Sequence, residues 1–572
     1  MNKLLKYSIA ALLSIGTGTF SSMAQDLEQY SLKKGVKLSG GLSFNNTFYT
    51  GSDSLINRDP YVYTLCGNLN INAFGADLPF SFALTNSGVS YTQPFNKFQI
   101  APKYKWAKLY IASANMNFSP YTLAGHDFTG VGMELTPGKW YVGAMYGRLL
   151  KAIEYDPLID NTNTVAYKRM GYGAKVGYKN KGTDADIIFF SAEDKENSLE
   201  FYVPEDIDLH PQKNTAASLR VRQAFLKKFF VQAEYAASVY NSDIRNAEGE
   251  KVKTSNFIDK LFQRKGNDRF VDAFNASAGY QDERWGLSFC YERVAPDYQT
   301  LGGYYFVNDL ENYSFAPYVK FMKGKLGFAG KIGWEYNNLN DEKANDTKRL
   351  TGAVNANFAD GKNWTVSAAF SNYSTYTKFR QTAYPYYTDD LDSLNFYQIQ
   401  RSLNTNIGYM FGKNKEAMVN ALNLSAAYQK GSSGSGDVKN SISDIVSMSL
   451  SFGENFVKQK LTWALFTAVN YADASNMESI YYGPGVNLQK VGVNDKLTTG
   501  LSCAYNQNRL NGVNNSSLMN SALTASYRIT GEGSKVGNHS VSASLNLTNR
   551  FRTSSVNKAY EFLATANYTV NF

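Results

Sequence analysis

The chain ends on a run in which every second residue is apolar. Between Ala559 and Phe572, the residues Tyr560, Phe562, Ala564, Ala566, Tyr568, Val570 and Phe572 share one parity. Glu561, Thr565, Asn567, Thr569 and Asn571 share the other, and Leu563 is the one lapse. A period of two is that of a β-strand, whose side chains alternate between faces. The length suits a tilted strand crossing a bilayer, which needs roughly 9–11 residues, and the aromatics gather at its ends, where the water interfaces would lie. The alternation recurs upstream. Val541, Ala543, Leu545 and Leu547 oppose Ser540, Ser542, Ser544 and Asn546, and Leu523, Ala525, Tyr527 and Ile529 oppose Thr524, Ser526, Arg528 and Thr530.

A soluble β-sandwich alternates as well, so the connections have to discriminate. Short polar turns, at 136–139, 179–184, 227–228, 281–284, 323–325, 360–363 and 412–416, interleave with long polar stretches near 150–169, 194–212, 240–268, 296–312, 374–397 and 431–441. Short turns on one rim and long loops on the other are a habit of transmembrane barrels. Trp140, Trp285 and Trp364 each follow a short turn, as an interfacial girdle requires. Mean hydropathy is −0.36, with 41 Tyr and 36 Phe making most of a 15% aromatic content. Helical membrane proteins are excluded by this, whereas a barrel averages lipid-facing and lumen-facing residues to mild hydrophilicity.

The terminal aromatic strand, with Tyr568 and Phe572, resembles the C-terminal signature of Gram-negative outer-membrane β-barrels. A second run, Val294-Ala295-Pro296-Asp297-Tyr298-Gln299-Thr300-Leu301-Gly302-Gly303-Tyr304-Tyr305-Phe306-Val307-Asn308-Asp309-Leu310-Glu311-Asn312, resembles a segment of large porin-like outer-membrane barrels. That resemblance implies a dedicated barrel family and no particular activity.

Lys3 and Lys6, the apolar run Tyr7 to Ile15 and the small-residue end Ser22-Met23-Ala24 read as a secretory signal peptide (1–24), with cleavage after Ala24. A short periplasmic segment, 25–35, precedes the expected barrel, 36–572. That leaves no room for a folded plug of the kind carried by TonB-dependent transporters. Residues Ser90 to Phe128 resist a consistent strand direction, and part of that stretch is a candidate for folding into the lumen.

The catalytic inventory is sparse. His126, His210 and His539 lack metal-ligand spacing and read as satisfied surface or rim histidines, and no nucleophile elbow, phosphate-binding loop or zinc motif occurs. Cys66, Cys290 and Cys503 are widely spaced strand residues. No enzyme, cofactor, metal site or nucleic-acid partner is expected. The acidic clusters Glu205-Asp206-Ile207-Asp208 and Asp389-Asp390-Leu391-Asp392 read as solvated loop charge before they read as calcium sites.

The sequence therefore predicts an all-β fold: a single transmembrane antiparallel β-barrel of about 24 strands, with 22 or 26 allowed, and no separate plug domain. The expected lumen-lining set is Lys175, Arg220, Arg222, Glu234, Lys320, Lys331, Glu335, Arg349, Arg528 and Arg550. Its basic excess would favour anions. A formal charge of +9, about +7 after loss of Lys3 and Lys6, agrees in sign. Loop aromatics Tyr298, Tyr304, Tyr305, Tyr376, Tyr384, Tyr386 and Tyr387 are candidates for gripping a ligand or a partner. The expected role is a porin-like passive or gated channel for polar solutes, with a non-conducting structural or assembly component of an outer-membrane complex as the alternative. Outer-membrane lipid, lipopolysaccharide, the barrel-assembly machinery and other outer-membrane proteins are the expected partners.

Overall fold

The computed structural model describes residues 36–52, 58–86, 97–155, 165–200, 209–246, 268–304, 306–340, 342, 348–377, 396–412, 416–435, 438–474, 477–530, 537–553 and 557–572. The expected signal peptide, the periplasmic segment and both acidic clusters lie outside them. Among the described residues there is no α-helix, only three 3₁₀ turns, and every strand belongs to one 27-stranded sheet. Staves that follow one another in sequence pair antiparallel. The first, β1 (Val36–Gly51), pairs with the last, β27 (Ala559–Asn571), from Gly41 opposite Asn571 to Gly51 opposite Glu561. Reciprocal backbone hydrogen bonds between Gly40 and Phe572, 2.8 and 3.0 Å, complete the seam. Closure leaves no edge with unpaired N–H and C=O groups, which is what lipid demands of a sheet.

Two of the segments, β4 (Lys97–Ile100) and β5 (Lys103–Tyr104), are halves of one stave between β3 (Ala76–Thr85) and β6 (Ala107–Asn117). The barrel therefore has 26 staves rather than the expected 24. One of the two uncounted staves lies in the 90–128 stretch: an interrupted stave of four and two residues carries too little alternation to be seen as a strand. The turn between β4 and β5 and the one after β5 leave Tyr104 and Trp106 exposed.

An even stave number brings both chain ends to one rim, here called the terminal rim. It carries the short turns after Leu135, Asn180, Phe225, Gln281, Phe321, Ala359 and Phe456, together with the long link between Arg528 and Asn538. Most of the longer connections run along the opposite, distal rim, but strands resume there within three residues after Ser435, Ala474 and Leu510, so the stretch 431–441, expected to be a long loop, is mostly strand.

The outward face is apolar. Across neighbouring strands β23 (Met477–Gly492), β24 (Leu497–Leu510), β25 (Val513–Arg528) and β26 (Asn538–Phe551), residues Leu488, Leu501, Leu523 and Leu545 pair in one row. They are 42%, 50%, 49% and 44% exposed. An uninterrupted aliphatic row on a closed cylinder is a surface that water penalises and hydrocarbon accepts. Trp140, Trp285 and Trp364 stand exposed on that same surface beside the terminal rim, and Trp106 is exposed in a turn of that rim.

Candidate conduit inside the barrel

Two connections fold against the inner wall. The first, 118–123, is a tight turn: Phe118 N donates to Leu123 O at 2.9 Å and Thr122 N to Ser119 O at 3.2 Å. It touches three separate staves. Lys175 Nζ on β9 (Lys168–Asn180) donates to Phe118 O at 3.3 Å. Ser119 donates its hydroxyl to Glu234 on β12 (Phe229–Asn241), and the Tyr121 hydroxyl donates to Glu292 Oε1 on β14 (Trp285–Val294) at 2.5 Å. Staves lie about 4.8 Å apart. Six residues can reach from β9 to β14 only if the wall curves around them, so these groups face the lumen.

The second connection, 295–309, seals the first in place. Leu123 and Gly302 form a parallel bridge, and Ala124 N donates to Gly302 O at 2.8 Å. Thr300 Oγ1 donates to Thr122 O at 2.5 Å, and the Tyr298 hydroxyl to Tyr121 O at 2.8 Å. Gly302 cannot carry a side chain here, because a Cβ would lie 2.4 Å from Thr122 O and 2.8 Å from the Phe190 ring. Asn214, fully buried on β11 (Lys213–Phe225), pins the pair: its Nδ2 is shared among Ser238 Oγ, Val239 O and Gln299 O, and its Oδ1 accepts from Leu301 N at 3.1 Å. The Phe118 ring occupies the space that Cβ atoms on Gly143 and Gly173 would need, 3.1 and 3.2 Å away. Small wall residues thus make room for the turn, and a packed cluster forms from Met116, Phe118, Leu123, Phe128, Leu149, Ile188, Phe190 and Leu301.

This filling covers the wall from β6 to β15 (Leu310–Phe321). Because cross-strand partners share a face, the inner face can be followed around the rest of the barrel. There it presents hydroxyls and amides: Ser371 with Ser402 at 2.6 Å, Ser544 with Thr565 at 2.8 Å, Ser540 with Thr569 at 2.9 Å, and Thr548 donating to Asn520 Oδ1 at 2.9 Å. All are part-buried, and no buried apolar cluster of the described residues lies over them.

The candidate lumen charges do not form one ring. Lys175 and Arg220 share a single carboxylate, Asp186, which is 4% exposed, with Lys175 Nζ 3.4 Å from Oδ2. The Lys175 ammonium also lies 5.4 Å from the centre of the Tyr141 ring, and the Arg222 guanidinium 5.1 Å from that of Phe230. Glu234 is taken up by Ser119. Lys320 lies at the terminal end of β15, opposite Gly327 of β16 (Leu326–Tyr336). On β16, Lys331 and Glu335 pair in register with Ala353 and Arg349 of β17 (Lys348–Ala359), and the Arg349 side chain lies outside the described residues. Arg528 faces Ser540 at one end of β26, and Arg550 stands at the other end, ten residues or about 34 Å away at strand spacing.

Of the loop aromatics, Tyr298 is fully buried in the interior packing. Tyr304 stacks on His126 with centroids 4.1 Å apart and accepts Asp127 N–H at 3.1 Å. His126 is itself 3% exposed, so it is an interior residue rather than a surface or rim histidine. Tyr305, Tyr384, Tyr386 and Tyr387 lie outside the described residues, as does the side chain of Tyr376 on β18 (Trp364–Thr377). On β27 the Tyr568 hydroxyl meets His539 Nδ1 at 2.6 Å.

Ser119, Tyr121, Asp186, Asn214 and Glu292 went unrecognised in the sequence as interior anchors. Of these, only Ser119 and Tyr121 fall in the stretch Ser90 to Phe128 whose strand direction marks it as a candidate for the lumen. Among the described residues, no group of three or more His, Cys, Asp and Glu side chains could hold a metal ion.

A closed antiparallel barrel with an aliphatic exterior and a polar, partly packed interior is the architecture of a transmembrane β-barrel. No protein-family model matches the chain, and no curated protein is similar to it. Among solved structures, it is similar to the P pilus usher (PapC) translocation pore, at 9% identity and TM-score 0.35, covering 93% of this chain and 98% of that one. The FrpB iron transporter from Neisseria meningitidis matches at 12% identity and TM-score 0.38, over 96% and 84%. OccAB3 from Acinetobacter baumannii matches at 11% and 0.29, over 68% and 99%. Likeness at this level assigns no activity.

Proposed function

We propose that the protein is an outer-membrane channel through which polar solutes pass along the hydroxyl- and amide-lined wall, beside a fixed interior filling. The observation that carries this reading is the division of the interior. One arc, β6 to β15, is packed by two interlocked connections, while the remaining inner face keeps partly exposed Ser, Thr and Asn side chains that have no role in a closed core. Export would follow removal of residues 1–24, with insertion among outer-membrane lipid and lipopolysaccharide.

No charge preference is assigned to the solute. Asp186 is shared by Lys175 and Arg220 and offsets half of their charge, and Arg528 and Arg550 stand at opposite ends of the barrel, so a basic ring that would focus potential on anions has no support. Conductance in planar bilayers tests the reading. Stable single-channel steps from the refolded protein are expected, and a protein that inserts without conducting would leave the structural or assembly role in their place.

A further inference from the structure

The terminal rim bears a repeated pairing of charge and ring that channel activity does not require. Six of its turns each present an exposed lysine: Lys105, Lys139, Lys181, Lys227, Lys323 and Lys458. None of the six makes an ion pair among the described residues, whereas neighbouring Lys228 is bound to Asp282 at 3.1 Å and Lys460 to Asp495. Lys105 and Lys139 are followed directly by Trp106 and Trp140, which are 50% and 54% exposed, and Trp140 shares the outward face of its strand with the exposed Tyr146. Of the six tryptophans only Trp334 stands toward the distal rim.

Indole rings settle at the level where acyl chains meet headgroups. A lysine one residue further toward the turn then lies among the headgroup phosphates, and its four-carbon stem lets the ammonium reach them while the stem stays against apolar surface. We infer that the terminal rim is a basic collar that selects anionic glycerophospholipids from the leaflet around it. The inference rests on the transmembrane reading. The partner is a lipid headgroup rather than an acidic protein, because the lysines are spread along the rim over six turns, from Lys105 to Lys458, at the level of the tryptophans instead of gathering on a single loop.

Quenching of tryptophan fluorescence by dibrominated lipids tests it, since most of the reporters sit at the collar. The full-length protein is refolded into symmetric vesicles of phosphatidylcholine containing brominated phosphatidylglycerol or brominated phosphatidylcholine. At low salt the collar sites should favour phosphatidylglycerol roughly fivefold, the attraction of about one lysine at a membrane surface, and the preference should fade at high salt. Exchanging Lys105, Lys139, Lys181, Lys227, Lys323 and Lys458 for Gln should abolish it, and exchange for Arg should preserve it, which separates lost charge from lost folding. Equal quenching by the two lipids, or a preference that survives the Gln exchanges, would overturn the collar. No quenching by either lipid would overturn the membrane reading beneath it.

Discussion

Asp360 illustrates how single polar side chains hold this barrel's rims. Its Oδ1 accepts the backbone N–H groups of Lys362, Asn363 and Trp364 at 2.7, 2.8 and 3.0 Å. The turn's orphan donors converge on one carboxylate, and the glycine that follows, Gly361, supplies φ +76°. The Lys362 N–H above all, helped by those of Trp364 and Asn363, holds the Asp360 carboxyl below its ordinary range. A depressed carboxyl stabilises the fold fully above the ordinary carboxylate pKa and loses that contribution as pH falls through the lowered folded value. Asp360→Ala is therefore expected to lower the unfolding midpoint of the refolded protein at pH 7, and Asp360→Asn, which keeps an acceptor, to lower it less. Titration below pH 4 should erase the difference between wild type and the Ala variant. A gap that persists unchanged in acid would show that the carboxylate's charge is not what matters.

At the scale of the strand, alternation has opposite consequences on the two faces. Leu523, near the middle of β25, is 49% exposed on the outer surface. Ser544 on the adjoining strand points inward and is bonded to Thr565. An arginine in hydrocarbon at mid-depth costs about 2–4 kcal/mol, whereas one facing a hydrated interior keeps its water. Leu523→Arg should therefore destabilise the barrel in vesicle unfolding titrations by about that amount, and Ser544→Arg by far less. Equal costs would mean that the two faces had been assigned wrongly.

For the molecule as a whole, the decisive arrangement is the joining of two connections that are far apart in sequence, 118–123 and 295–309. Asn214 serves both the wall and the second of these. Asn214→Leu keeps the volume but removes the acceptor for Leu301 N–H and the donor to Gln299, leaving buried polar groups unmade at a cost of about 1–3 kcal/mol. The variant is expected to unfold at lower denaturant and to give larger or flickering conductance steps, as the filling loosens. Wild-type traces from a destabilised variant would place the solute path away from the filling.

What could be read from the sequence alone follows from the same geometry. A strand's environment repeats every two residues, so Ala559 to Phe572, Leu523 to Ile529 and Val541 to Leu547 announce a one-sided apolar sheet by themselves, and the turn tryptophans announce its interface. One of the two staves absent from the expected count was hidden because β4 and β5 are too short for periodicity to register. The interior anchors were illegible for another reason. Asn214, Asp186 and Glu292 are one inward polar residue among dozens, and what singles them out is which connection the curved wall brings against them. Alternation along the chain thus determined that this protein buries no ordinary core and wraps an apolar face outward. Closure, the number of staves and the division of the interior between a packed arc and a polar one were decided only in three dimensions, because they depend on contacts between segments more than 170 residues apart, such as Tyr298 with Tyr121, that no local pattern encodes.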